Sequence, residues 1–397
     1  MSDARSQRRR WPLLRAFERL LRLPTRDEEP GLISEEVRAV FESAQREEID
    51  PVPLFGDEGF PLPLPRGGMD RSTAALFYPG IEVEAQLYEY AAELCIRPRP
   101  SVRMSLPLPD DSADSYEYST NALAMHRDVE PSAAGVDVRV LVTGASNVQG
   151  VCSNGDAATG ILETRLAGRR GGATVEVLNA ACGAYNFFNY VAVLERFAYL
   201  QPDVFVVIAY TGNDFFGSVR MWRLFGGYGA PDDDVVVDPR RLLEDDDPFV
   251  RALAGLEVGQ IAAMMNNSSS EQHALCASCS ATLEIARICH ERGIEPLFAV
   301  LPSPLTGQPG AMADARARVE SLLDLPEGAI DLADRIGDRW LEFLEDRGLR
   351  HCDLRPSIRA ADERLYFERD GHLNLAGQRV VAETLAPAIE DALAART

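Results

Sequence analysis

The 397-residue sequence contains no lysine; all 40 of its basic residues are arginine. Without a side-chain amine, Schiff-base aldolases and lysine-dependent pyridoxal-phosphate enzymes are excluded, unless the chain's own N-terminus serves. The same absence removes the phosphate-binding loop whose Lys reaches the terminal phosphates, and the strand Lys of protein kinases. Positive charge is scarce overall, with 62 acidic residues against the 40 arginines and a net charge of −22. Most of the surface therefore repels nucleic acid and anionic membranes, which are bound through cationic neutralisation, and no nucleic-acid partner is expected. The chain also lacks any apolar run long enough to span a bilayer. Its seven cysteines are odd in number and scattered, unlike a secreted disulfide framework, so a reducing cytoplasm is the expected compartment. Cys276 and Cys279 form a C-x-x-C inside a helical pattern. With no second pair or spaced histidines to complete a zinc site, they read as small apolar helix residues.

What is present is ordinary globular composition, 46% hydrophobic and 26% charged, at a length suited to one large α/β domain plus an extension. The first 23 residues carry seven arginines against Asp3 and Glu18. Trp11, Leu13, Leu14, Phe17, Leu20 and Leu21 follow at helical spacing. Arg15, Glu18, Arg19 and Arg22 break the apolar stretch that a twin-arginine export signal needs, so export is rejected. Two readings of residues 1–23 stay open: an interfacial helix meeting a membrane surface or a protein, and a helix docked on its own chain. Residues 24–75 turn acidic and then Pro/Gly-rich, which reads as a linker with one short helix.

From Val136 onward short β-branched runs alternate with amphipathic segments. Strands are expected at 136–144, 175–180, 204–210, 294–301 and 349–354. Helices are expected at about 155–169, 187–200, 272–292, 331–347 and 375–394. Five such strands separated by helices imply a parallel sheet covered on both faces, whose ligand sits beyond the carboxyl ends of the strands.

The polar residues fall at those ends. Gly144-Ala145-Ser146-Asn147 follows the first strand, Asn179-Ala180-Ala181-Cys182-Gly183 the second, and Thr211-Gly212-Asn213-Asp214 the third. Asp370-Gly371-His372-Leu373-Asn374 precedes the last helix. Together they supply a hydroxyl, a base, a carboxylate to orient the base, and donors for an oxyanion, which is the inventory of acyl transfer through a serine.

The order and spacing of these blocks resemble the SGNH hydrolase family, also called GDSL-type esterases and lipases, over about residues 121–397. VRVLVTGASNVQG resembles the nucleophile block, VEVLNAACGAYN the block whose glycine donates a backbone N–H, PDVFVVIAYTGND the Gly-x-Asn-Asp block, and LYFERDGHLNLAGQRVVAETLA the terminal Asp/His block. The resemblance implies a flavodoxin-like three-layer α/β/α sandwich with a five-stranded parallel sheet. It also implies Ser146 as nucleophile, His372 as general base and then acid, and an oxyanion hole from the Ser146 N–H, the Gly183 N–H and the Asn213 amide. Two residues depart from the family pattern. Ala145 stands where the family usually has Asp. Arg369 stands three before the histidine, so Asp370, two before it, is the residue expected to orient His372, with Glu368 as the substitute. Asp214 is expected to fix loop geometry, and Asn374 to cap the last helix.

The division expected is residues 1–75 as basic helix and linker, 76–120 as an accessory segment packing on the core, and 121–397 as the SGNH-type domain with an insert at 215–270. The insert, with no place in the sheet, is expected to wall the pocket. Tyr185, Asn186 and Asn189 read equally well as pocket lining and as sheet-edge structure. The implied chemistry needs no metal or organic cofactor. The substrate is an O-acyl compound, a small-molecule, carbohydrate or lipid ester. Hydrolysis and O-acyl transfer share every group named, and a catalytically inactive binding or assembly protein on the same fold is the alternative from another class.

Overall fold

The computed structural model describes residues 70–396 apart from 112, 134, 227–236 and 267–269; of the basic helix and linker expected at 1–75, residues 1–69 lie outside the described residues. Among the described residues nine strands are present: β1 (Tyr88–Ala91), β2 (Cys95–Pro98), β3 (Arg103–Pro107), β4 (Ser115–Ser119), β5 (Val138–Gly144), β6 (Val175–Asn179), β7 (Val204–Tyr210), β8 (Glu295–Leu301) and β9 (His351–Asp353). The last five form one parallel sheet in the order β6-β5-β7-β8-β9. This is the flavodoxin-like order, whose chain reversal leaves a crevice between the carboxyl ends of the first and third strands, here β5 and β7.

The runs expected to be strands are buried throughout in β5 and β7, because both faces of the sheet are covered. Alternate residues enter two separate cores. Val140, Val142, Val206, Ile208 and Ala299 pack under the helices Ala158–Arg169 and Leu375–Ala394. Leu141, Phe205, Val207, Phe298 and Val300 face the opposite layer, formed by Phe187–Phe197, Ser270–Arg292 and Leu332–Asp346. The architecture is thus a three-layer α/β/α sandwich. Trp340 is the centre of the second core, fully buried, with Phe187, Phe215 and Phe298 set edge-on at 5.2–5.9 Å. Its indole N–H donates to Thr282 Oγ1 at 3.1 Å, so the large ring is buried without stranding its polar atom. Each such side chain contributes about 1.5–3 kcal/mol through removal from water.

The chain from Asp70 to about residue 130 builds two antiparallel hairpins, β1–β2 and β3–β4, on the Trp340 side of the sheet. Phe77, Tyr78, Ile81 and Ile96 fill the same core as Phe188 and Leu194. Tyr185, Asn186 and Asn189 belong to this joint and not to a pocket wall. Tyr185 donates to Ile96 O at 3.0 Å, Asn189 receives the Tyr78 hydroxyl at 2.9 Å and donates to Leu94 O at 2.8 Å, and Asn186 caps the helix Phe187–Phe197.

The insert also has regular structure. It opens with the helix Asp214–Gly226 and resumes as short helical pieces, including Pro248–Leu253, the π-turn Ala254–Val258 and Gly259–Asn266. None of these joins the sheet. Cys276 and Cys279 are buried on Ser270–Arg292, as their apolar reading expects. Among the described residues no helix is long and apolar enough to cross a membrane.

Candidate active site

β5 ends in Gly144 and the chain turns at once into a four-residue helix, Ser146–Gln149, separate from the longer helix beginning at Ala158. The turn is tight enough to require glycine: a methyl group on Gly144 would stand 2.4 Å from Val148 Cγ2 and 2.9 Å from Ile208 O. Ala145 occupies the cap position with no side-chain acceptor, and its own carbonyl receives Val148 N–H and Gln149 N–H at 3.1 and 3.0 Å. The turn projects Ser146, partly exposed, over the crevice beside β7.

The second component arrives from 226 residues away: His372 Nε2 lies 2.8 Å from Ser146 Oγ. His372 Nδ1 is hydrogen-bonded to Asp370 Oδ1, which also accepts the His372 backbone N–H at 3.2 Å. Gly371 between them has φ +79°, a left-handed conformation that curls the two side chains together at no steric cost. The shorter Asp-x-His spacing therefore still brings carboxylate and imidazole into contact. Glu368 is placed differently. Its backbone N–H and that of Arg369 donate to the Asp110 carboxylate, each at 2.9 Å, so the turn after β3 clamps the loop that carries Asp370.

Two further ties hold the pieces together. Leu373 N–H donates to the Asn147 side chain at 2.9 Å, linking the residue after the serine to the residue after the histidine. Asn179, at the end of β6, donates to Val148 O at 3.0 Å. Asn374 caps the last helix through Gly377 N–H at 3.0 Å.

Burial acts against the charged form of both Asp370 and His372, but their attraction and hydrogen bonds prevail. The result holds the Asp370 carboxyl below its usual range and lifts the His372 imidazole above its own. Glu84, just after a short helix of the accessory region, feels the same histidine. Burial pushes its carboxyl up to about 7, with the charge of His372 pulling the other way.

Gly183 and Asn213 sit at the ends of β6 and β7, on the same edge of the sheet as Ser146. Both are engaged with the protein's own acceptors. Gly183 N–H donates to Gln149 Oε1 at 2.6 Å, and Asn213 Nδ2 donates to Gly255 O, in the π-turn, at 3.0 Å. The insert thus meets the third block directly. Gln260 reinforces the contact, bonding Thr211 O and receiving Phe216 N–H at 3.0 Å. Glu257 anchors the π-turn from beneath. It is fully buried, bonded to the Ser303 hydroxyl and to Leu305 N–H at 3.3 Å, and burial lifts its carboxyl to about 8.

Asp214 takes no direct part in this cluster. Its carboxylate receives Tyr210 N–H at 2.7 Å and the Tyr190 hydroxyl, and burial raises it to about 7, in keeping with a loop-fixing residue. Four residues at the site were missed by reading the sequence: Glu84, Tyr88, Asp110 and Gln149. Only Gln149 carried a local signal, since it lies three positions, almost one helical turn, beyond Ser146.

No protein-family model and no curated protein matches the chain. Among solved structures it is similar to an acetyl xylan esterase, with 16% identity over 64% of this chain and 100% of the other, at a TM-score of 0.37. It is also similar to a lipase from a goat rumen metagenome, with 11% identity over 63% and 97% and a TM-score of 0.40. A GDSL-like lipase from Bacteroides thetaiotaomicron shows 12% identity over 67% and 94%, with a TM-score of 0.32.

Proposed function

We propose that this chain is a serine-dependent acyl-transfer enzyme of the SGNH type, acting as an ester hydrolase on an O-acyl substrate. The observation that carries the reading is the continuous line Ser146–His372–Asp370, with 2.8 Å between hydroxyl and imidazole and the second ring nitrogen on the carboxylate. Its position at the crevice of a flavodoxin-like sheet supports the same conclusion.

Ser146 Oγ attacks the ester carbonyl carbon while His372 Nε2 takes the hydroxyl proton. The nearby Asp370 carboxylate stabilises the imidazolium that forms, which is why its partner's raised basicity matters. The oxyanion develops toward the Ser146 N–H, the Gly183 N–H and the second hydrogen of the Asn213 amide. The bond to the leaving alcohol then breaks as His372 returns the proton to the departing oxygen. Water, or a second alcohol in a transferase, is deprotonated by His372 and releases the acyl group from Ser146. No amine is needed, consistent with a chain free of lysine.

A second reading, a binding or assembly protein that keeps the fold without turnover, is favoured by one observation, the occupied Gly183 N–H. A fluorophosphonate probe separates the two. The enzyme reading expects covalent labelling of the wild type, none of Ser146→Ala, and a fall of about 10⁶-fold in ester turnover for that variant. Hydrolysis that survives Ser146→Ala, or a folded wild type that resists the probe together with all its variants, overturns it.

A further inference from the structure

Gln149 closes the short helix that Ser146 opens, so both side chains leave the same side of one turn. The Gly183 N–H donates to Gln149 Oε1 at 2.6 Å. Because the partner is a backbone donor, it is the amide oxygen that must face Gly183, and this fixes the orientation of the whole side chain. Its Nε2 then donates to the Tyr88 hydroxyl at 2.9 Å. Tyr88 is buried on β1, and its hydroxyl would lie 3.1 Å from a methyl group built on Gly183. An amide carbonyl on that N–H presents the same chemistry as an ester carbonyl entering the site: an sp² oxygen accepting from the donor assigned to the oxyanion.

We propose that Gln149 is a resident occupant of the Gly183 oxyanion position, held there by Tyr88, and that an incoming carbonyl must displace it before Ser146 reacts. The proposal rests on Ser146 being the nucleophile and adds a residue that sets how easily the site accepts its substrate. Tyr88 is packed among the core residues of the accessory hairpin, so the amide swings away and the hydroxyl stays. The requirement falls on kcat/KM, since displacement precedes bond formation. Its size is that of one net hydrogen bond, about three- to ten-fold in rate.

The test is the second-order rate of fluorophosphonate labelling of the full chain, whose phosphoryl oxygen uses the same donors as an ester. Gln149→Ala is expected to label about three- to ten-fold faster than wild type. Gln149→Glu puts a full charge against the Gly183 N–H, a stronger bond that also repels the oxyanion. It is expected to label more slowly, its rate relative to wild type recovering as pH falls and the new carboxylate is protonated. Tyr88→Phe keeps the ring packing while releasing the amide, so it is expected to accelerate labelling by less than Gln149→Ala. It carries the test if the alanine variant fails to fold. Equal or slower labelling of Gln149→Ala and Tyr88→Phe, with the wild type reactive, overturns the occupant role and leaves the nucleophile standing. No labelling of the wild type or of any variant overturns the nucleophile reading and the occupant role with it.

Discussion

On one side of the site, Ser146, His372 and Asp370 are hydrogen-bonded to one another; on the other, Gly183 and Asn213 are bonded to Gln149 and to Gly255 of the protein itself. The two sides lie on the same sheet edge and draw on the same kinds of loop, yet in the proposed mechanism one transfers the proton and the other receives the oxyanion, its donors meanwhile bonded to acceptors of the chain itself. The difference follows from what each side must do with no substrate present. A proton relay is self-complementary, since each member supplies what the next one needs. Oxyanion donors, the role proposed for Gly183 and Asn213, are complementary only to a charge that appears during reaction, and buried donors take acceptors of the protein meanwhile.

The largest effect that sharpens this contrast is expected from Asp370→Asn, which leaves the geometry but removes the charge that orients and stabilises the imidazolium. Turnover should fall by about 10⁴-fold. The wild-type rate should rise with pH as His372 loses its proton, with a midpoint above the ordinary 6.5, because its basicity is raised. In Asp370→Asn that midpoint should move down, since burial acts against the charged ring and, with the Asp370 charge gone, only the charge of Glu84 still opposes it. A pH–rate profile in which the two midpoints coincide would show that Asp370 does not govern the base.

Next in size is Asn213→Ala, expected to lower kcat by roughly 10²–10³-fold with little change in KM, because its amide acts on charge that develops only in the transition state. A loss confined to KM would make Asn213 a part of the ground-state binding site and would erase the contrast drawn above.

The smallest effect concerns the footing of the Asn213 side. Glu257 in the folded chain keeps its proton to about 8, whereas its ordinary value is 4.5. Between these limits the folded state binds a proton that the unfolded state has released, so stability falls as pH rises across the window. Thermal melts of Glu257→Gln should lose that part of the slope. An unchanged slope would mean that Glu257 titrates as an ordinary carboxylate and that the π-turn has another anchor.

How much of this could be read beforehand depends on the range of the interaction concerned. β5, β7 and β8 were legible because a strand buried on both faces is a continuous apolar run, and the last helix because its cap and periodicity are local. The juxtaposition of Ser146 with His372 came from the order of the blocks, since no local pattern joins residues 226 positions apart. The insert resisted because its helical pieces are short and broken by Pro239 and Pro248, which begin new turns rather than extend old ones. Tyr88 and Asp110 were invisible for a different reason. Each acts through one polar group on a partner far along the chain, and neither leaves a periodic trace.

The Asp110 clamp also has a kinetic meaning. It joins residues 258 positions apart, and the serine–histidine contact spans 226, so both carry the loop-closure cost that makes long-range contacts slow to form. During synthesis the hairpin bearing Asp110 and the turn bearing Ser146 are made early and must wait for the Asp370–His372 loop. A nascent chain that has folded its first strands therefore holds Ser146 without His372 beside it, and under the proposed mechanism its reactivity would begin only with the docking of that loop.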